Sequence, residues 1–247
     1  MKIEIWSDIV CPFCYLGKKK LERAIEKVGL IDDAEVIWHS YQLDPDFPIG
    51  ISVPSTQYLS EKKGYPLNQI QAIQHQLREQ ALDYGFDFNF DTALSFNTGK
   101  VHQLLHWGNQ FGKTNELKEV FLKAYFTDGI DLSINQNIAQ LVTKVGLDEN
   151  EALLILSGKK YKDEVEADYY AASQIGVRGV PFFLINNQTA ISGAQPDQVF
   201  EQVLQTEMIK SGISVKTSTD GTCSIDGCKL VDVPFFSQPK SQTNHQN

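Results

Sequence analysis

Cysteine is scarce in this sequence, with four among 247 residues, and no apolar run approaches the ~18 residues that a bilayer-spanning helix needs. The opening stretch, MKIEIWSDIV, is interrupted by Glu4 and Asp8 before the apolar core of a secretory signal can form. Basic charge is also short. Twenty-two Lys and Arg against 31 Asp and Glu leave a net charge of −9, which repels nucleic acid and anionic membrane surfaces unless a local basic patch exists. The densest basic run, Lys18-Lys19-Lys20, reads as a solvated helix face. No internal repeat is visible. These shortages point to a cytoplasmic chain that binds neither nucleic acid nor membrane. In a reducing compartment, closely spaced cysteines are more often catalytic, redox-sensing or metal-binding than structural.

Two of the four cysteines stand together in IVCPFC, as Cys11 and Cys14. KIEIW before them alternates polar and apolar residues like a short strand. YLGKKKLERAIEKVG after them repeats Leu16, Leu21, Ala24, Ile25 and Val28 at helical spacing and stops at Gly29. The pair therefore falls at a strand-to-helix junction. The thiolate is the nucleophile in disulfide exchange, and a helix N-terminus favours an anion through its unpaired N–H groups and partial positive charge, by on the order of 1–2 kcal/mol. Cys11 is expected at that terminus as the exposed nucleophile, and Cys14, one turn later, as the more buried resolving thiol. Pro12, which lacks an N–H, suits the first helical position. Two other readings stay open: half of a zinc site completed by Cys223 and Cys228, although the gap between those two is loose for a tetrahedral site, or two unrelated buried thiols.

AEVIWHSYQL, residues 34–43, reads as a second strand ended by the turn residues of DPDFP. Helical segments follow near 67–84, 97–111, 114–127, 135–145, 148–157 and 161–175. VPFFLINNQTAISG returns to strand character around an Asn186-Asn187-Gln188 turn, and PDQVFEQVLQTEMIK is a last amphipathic helix. A strand, a crossover helix and a second strand, then helices, then two strands and a helix, imply an α/β fold whose mixed sheet has a parallel component. The expected divisions are residues 1–54, a helical insertion over 55–176, a return over 177–210, and a polar extension over 211–247 with a disordered end. A further signal lies in GVRGVPFF, where Pro181 opens an apolar strand although it can donate no ladder hydrogen bond. Either a cis Val180–Pro181 bond or a strand begun in trans accounts for it.

SDIVCPFCYLGKKKLE, GVRGVPFFLINN and the later ISGAQ together resemble the thioredoxin-fold oxidoreductases of the DsbA superfamily, and within it the FrnE-like branch. NTGKVHQLLHWG, with Asn97, Thr98 and His102, and AYFTDGIDL resemble further motifs of that branch. The resemblance spans most of residues 1–207. It implies a thioredoxin-like fold with a large inserted all-helical domain, a Cys11–Cys14 pair exchanging electrons with protein or small-molecule thiols and disulfides, no cofactor and no metal. It also implies a cis Pro181 beside the pair, with the Val180 backbone pairing the substrate chain and Pro12 and Phe13 flanking it. Phe13 stands where DsbA carries histidine, so no imidazole is available there to favour oxidation, and the direction of electron flow is left open. Kappa-type glutathione-dependent isomerases and transferases of the superfamily place serine at the nucleophile position, which Cys11 occupies here. Besides that alternative, a redox-regulated binding protein or holdase would use the same cysteines without turnover.

GTCSIDGCK carries Cys223 and Cys228, a pair also found in the extension of some FrnE-like proteins; it reads either as a redox relay for Cys11 and Cys14 or as thiols that oxidise adventitiously. His39, His102 and His106 are read as hydrogen-bonded rather than metal-ligating, since His102 and His106 lack the glutamate of a metalloprotease helix. YGFDFNFD, residues 84–91, could line a substrate groove or pack its own core. Arg178 is a candidate cation for the thiolate.

Overall fold

The computed structural model describes residues 1–213. Strand β1 (Lys2–Ser7) leads through α1 (Pro12–Val28) to β2 (Glu35–Ser40), and the chain returns to the same sheet only at β5 (Phe182–Ile185) and β6 (Thr189–Ser192), before α9 (Asp197–Lys210). Between them lie β3 (Ser52–Pro54), α2 (Ser55–Glu61), α3 (Leu67–Leu82), β4 (Leu94–Phe96), α4 (Gly99–Asn109), α5 (Thr114–Phe126), α6 (Asn135–Val142), α7 (Glu149–Ser157) and α8 (Lys162–Gln174). The sheet order is β2-β1-β5-β6. The β1–β2 pair is parallel, as a helical crossover requires, while β5 runs antiparallel to both β1 and β6. This is a thioredoxin-like fold with a helical insertion.

Local chemistry explains the ends of these elements. Pro12 occupies the first position of α1. Gly29 closes the helix at φ +75°, with its N–H on the Glu26 carbonyl and the Leu30 N–H on the Ile25 carbonyl, a Schellman arrangement that satisfies the last carbonyls. Asn186 and Asn187 both adopt positive φ, and the Gln188 N–H closes the turn onto Ile185 O at 3.0 Å, the geometry a tight β5–β6 hairpin demands.

Alternation along β1 divides the core. Ile3 and Ile5 face α1 and α9, where Leu21, Ala24, Val28, Phe200, Leu204 and Met208 bury them. Trp6 faces the other way, toward Ala172, Val177 and the cysteines. A second, larger core belongs to the helical region and takes in Ile9, Tyr15 and Leu16 of the α1 end. Phe86, Phe88 and Phe90 pack there against Tyr15 and Phe126, so the aromatic cluster at residues 84–91 is core rather than a groove wall.

Because α1 is covered on both sides, the solvated reading of its lysines fails. Lys18 is buried and pairs with Glu22 and Glu119, and buried Lys20 donates to Gln80 Oε1 and Ala194 O. Only contacts with α3, α5 and the β6–α9 connection bury these charges, and none of them is written in the spacing of α1 itself.

Candidate active site

Cys11 is the N-cap of α1 with extended backbone, and Cys14 lies within the first turn, its N–H donating to Cys11 O at 3.0 Å. Both are free thiols. The expectation that Cys11 would be exposed is corrected here: it is 4 % exposed, against 1 % for Cys14. The cause is what the insertion and the β5 approach place over it. Ala172 of α8, Val177 and Val180 share its apolar cluster, with Phe13 and Tyr41 at the margin. The Val180–Pro181 bond is cis, and Cys11 Sγ donates to Val180 O at 3.5 Å. Cys11, Cys14, Phe13 and Val180 therefore come together although some 165 residues of chain intervene. Cys223 and Cys228 lie outside the described residues.

Buried charges surround the sulfurs. Asp8, fully buried at the end of β1, accepts from Ile9 N–H at 2.7 Å and Leu43 N–H at 2.8 Å, and His102 Nε2 of α4 donates to it at 3.2 Å. Burial raises a carboxyl, but these bonds, that from His102 first, and a bond from Thr98 outweigh it, and Asp8 is held below the usual carboxylate range. For His102 burial itself dominates and lowers it, so a neutral imidazole faces an ionised Asp8. That contact is a hydrogen bond, not an ion pair.

The sulfurs titrate as a unit. Cys11 is pushed well above an ordinary thiol by its hydrogen bond with Cys14, by burial and by repulsion from a Cys14 thiolate. For Cys14, burial is outweighed by the bond from Cys11, the Lys118 cation and the Ser7 hydroxyl, and the net direction is downward. The pair gives up a first proton more readily than a free cysteine, and a second much less readily. The expectation that the helix terminus would favour the anion on Cys11 is corrected here: the first anion is favoured on Cys14, supported by Lys118 of α5, which sequence spacing had not singled out. Arg178 is exposed.

The DSBA-like thioredoxin domain profile matches residues 2–205. The chain belongs to that family. Among its relatives, YwbO of Bacillus subtilis (strain 168) is 28% identical over 218 residues, covering 84% of this chain and 98% of YwbO. The crystal structure of a probable DsbA oxidoreductase from Streptomyces coelicolor superposes with a TM-score of 0.81 at 33% identity, over 94% of this chain and all of the other. A 2-hydroxychromene-2-carboxylate isomerase shares the fold at a TM-score of 0.63 and 17% identity, over 87% of this chain and all of its own. Fold alone therefore does not fix the reaction, and the site must.

A second polar network in this DSBA-like chain ties the sheet to the insertion. Asp168 of α8 accepts from His39 Nδ1 at 2.7 Å, His106 Nε2 at 3.0 Å and Ser40 N–H at 2.6 Å, and His39 Nε2 reaches Glu4 at 3.1 Å. Burial lowers His39, but the bonds and charges of Asp168 and Glu4 outweigh it and raise it. His39 then stacks on Trp6 at 4.4 Å, which places α8 against the wall of the cysteine site. Among the described residues no group of three or more His, Cys, Asp or Glu side chains is arranged to hold a metal ion.

Gly17 also escaped the sequence reading, because a glycine inside a helix marks no function by itself. A Cβ there would lie 3.0 Å from Pro181 Cγ, 3.1 Å from Phe183 Cζ and 3.6 Å from Ala194 Cβ. Gly17 is what lets α1 lie directly against the proline ring. Gly17→Ala gains in helix propensity but overpacks this contact. It is expected to lose about 1–3 kcal/mol in urea denaturation and to slow thiol exchange by moving the Val180 carbonyl.

Proposed function

We propose that the chain is a thiol–disulfide oxidoreductase working through Cys11 and Cys14. One observation carries the reading: a reduced pair at the N-terminus of α1, with Cys11 Sγ bonded to Val180 O beside Pro181. In the reducing direction the Cys11 thiolate attacks one sulfur of a disulfide, forms a mixed disulfide and expels the other sulfur as a thiolate, which takes up a proton. The Cys14 thiolate then attacks Cys11 Sγ, releasing the second thiolate and leaving the Cys11–Cys14 bond. Two electrons pass from the pair to the partner, and oxidation of a dithiol is the same sequence reversed. Once Cys11 ionises, Val180 O no longer receives its S–H and is free to accept an N–H from an extended partner. Pro12 and Phe13 flank that approach.

The partner class is a protein or small-molecule thiol or disulfide, and the assignment to the FrnE-like branch belongs to the same proposal. Its support is the setting of Asn97, Thr98 and His102. Asn97 donates to Phe47 O at 2.7 Å, His102 binds Asp8, and Thr98 adds a bond to the same carboxylate. A cytoplasmic location fits a described region whose two cysteines form one reduced pair and no structural bridge. Among the described residues no helix is long and apolar enough to cross a membrane. The isomerase reading is weaker because a cysteine holds the nucleophile position, and Cys223 and Cys228 remain a proposed relay.

Equilibration of the full chain in glutathione buffers of graded ratio, quenched with an alkylating mass tag, is expected to show Cys11 and Cys14 converting together from dithiol to disulfide, with catalysed insulin reduction or dithiol-peptide oxidation. A pair that never bridges, or that bridges without turnover, removes the enzyme reading; the second result favours a redox-regulated binding protein.

A further inference from the structure

Lys118 is 1 % exposed, yet among the described residues no carboxylate lies in ion-pair contact with it. Its ammonium donates to Ser7 O at 3.4 Å and lies 5.4 Å from the centre of the Trp38 ring. Its neighbour Glu119 is taken by Lys18 and Lys19. A buried lysine left with one long hydrogen bond and an aromatic face is costly to keep charged. Ser7 joins it to the redox pair. The Ser7 carbonyl receives Lys118, while its hydroxyl, buried and without a hydrogen-bond partner, is one of the groups that favour an anion on Cys14. The anion missing beside Lys118 is therefore the one that forms on the resolving sulfur during the reaction.

We infer that Lys118 is the proton store of the resolving thiol, gaining a proton as the Cys14 thiolate forms and surrendering it when Cys14 bonds to Cys11. The inference rests on the oxidoreductase reading. The transfer balances: Cys14 thiol and Lys118 amine become thiolate and ammonium, the thiolate displaces the partner sulfur from Cys11, and the ammonium proton neutralises the departing thiolate. Every group facing Lys118 fits this cycle. Cys14 and Cys11 favour its ammonium when anionic, Asp8 does so throughout, Lys18 opposes it, and His102 is neutral. Burial is the largest influence, and it leaves Lys118 down at about 8 with the pair reduced. Oxidation removes the cysteine anions and must lower it further. Asp8, already ionised and saturated with donors, is a poor acceptor for this proton.

NMR titration of the Lys118 Cε and Nζ signals tests the store in the full-length protein, with the assignment made from the spectrum of Lys118→Arg. The expected result is a reduced-state titration below that of surface lysines and an oxidised-state titration lower by roughly one pH unit or more. Lys118→Arg, whose guanidinium keeps its proton, is expected to shift the glutathione equilibrium about tenfold toward the dithiol at pH 9, one pH unit's worth of proton binding, and to flatten its pH dependence. A Lys118 that titrates in the surface-lysine range, or identically in both redox states, overturns the inference even if the pair bridges and turns over. Should the pair fail to bridge at all, the oxidoreductase reading falls instead.

Discussion

Cys11→Ser is expected to abolish thiol–disulfide turnover, by about a thousandfold or more, while Cys14→Ser is expected to complete the first attack and stop at a mixed disulfide. The difference follows from position. Cys11 is the sulfur bonded to Val180 O, the carbonyl proposed to receive the partner chain. A serine hydroxyl there is not ionised near neutral pH and forms no disulfide, so nothing downstream can begin. Cys14 is deeper and supplies only the second attack. In Cys14→Ser the influence that most strongly raises Cys11, its hydrogen bond with a Cys14 thiolate, is replaced by a hydroxyl that donates to Cys11. The remaining thiol should therefore titrate well below the second proton of the native pair. Absorbance of the thiolate against pH measures this, and mass spectrometry of full-length Cys14→Ser after exposure to a disulfide peptide counts the trapped adduct. An adduct on residue 14 of Cys11→Ser, formed at the rate seen for the native chain, would exchange the two roles.

The pairing of Cys11 and Cys14 at a strand-to-helix junction was legible in the sequence because its signals are local. Two cysteines at helical spacing, a proline able to start the helix and an alternating strand before it all lie within residues 2–14. Most inserted helices were legible for the same reason, and they appear within a few residues of their expected bounds. Ser52–Pro54 and Leu94–Phe96 form strands only because each supplies the other's hydrogen bonds, so neither has a pattern of its own. The charged groups packed behind the cysteines were hidden for a similar reason. Lys118 looks like an ordinary polar position on α5, and it becomes a buried cation only when α5 docks against the end of β1. The burial of Cys11 likewise comes from Ala172, Val177 and Val180, all remote in the chain. His102 and Asp8 carried no joint spacing signal, although the resemblance had drawn attention to His102.

Asp8→Ala is expected to be the most destabilising single change near the site, costing about 3–5 kcal/mol in urea or guanidinium denaturation. The methyl group leaves Ile9 N–H, Leu43 N–H and His102 Nε2–H without their acceptor, along with the Thr98 bond, and the cavity admits no bulk solvent. Three or four buried donors at once exceed what local relaxation can satisfy. The pH profile separates this mechanism from simple loss of packing. In the native chain Asp8 is lowered on folding, so its contribution is present above its unfolded value, roughly pH 4, and is lost as pH falls through the lower folded value. His102 is also lowered, so the unfolded chain binds its proton first and stability begins to fall as pH drops below about 6.5. Removing Asp8 abolishes the first contribution. It enlarges the second, because the hydrogen bond and charge that partly supported a His102 imidazolium are gone. Asp8→Ala should therefore keep the loss of stability that begins below about pH 6.5 and lack the further loss that Asp8 contributes below about pH 4. A variant whose profile merely parallels the native one, displaced by a constant, would mean that Asp8 fills space and holds no charge in the folded protein.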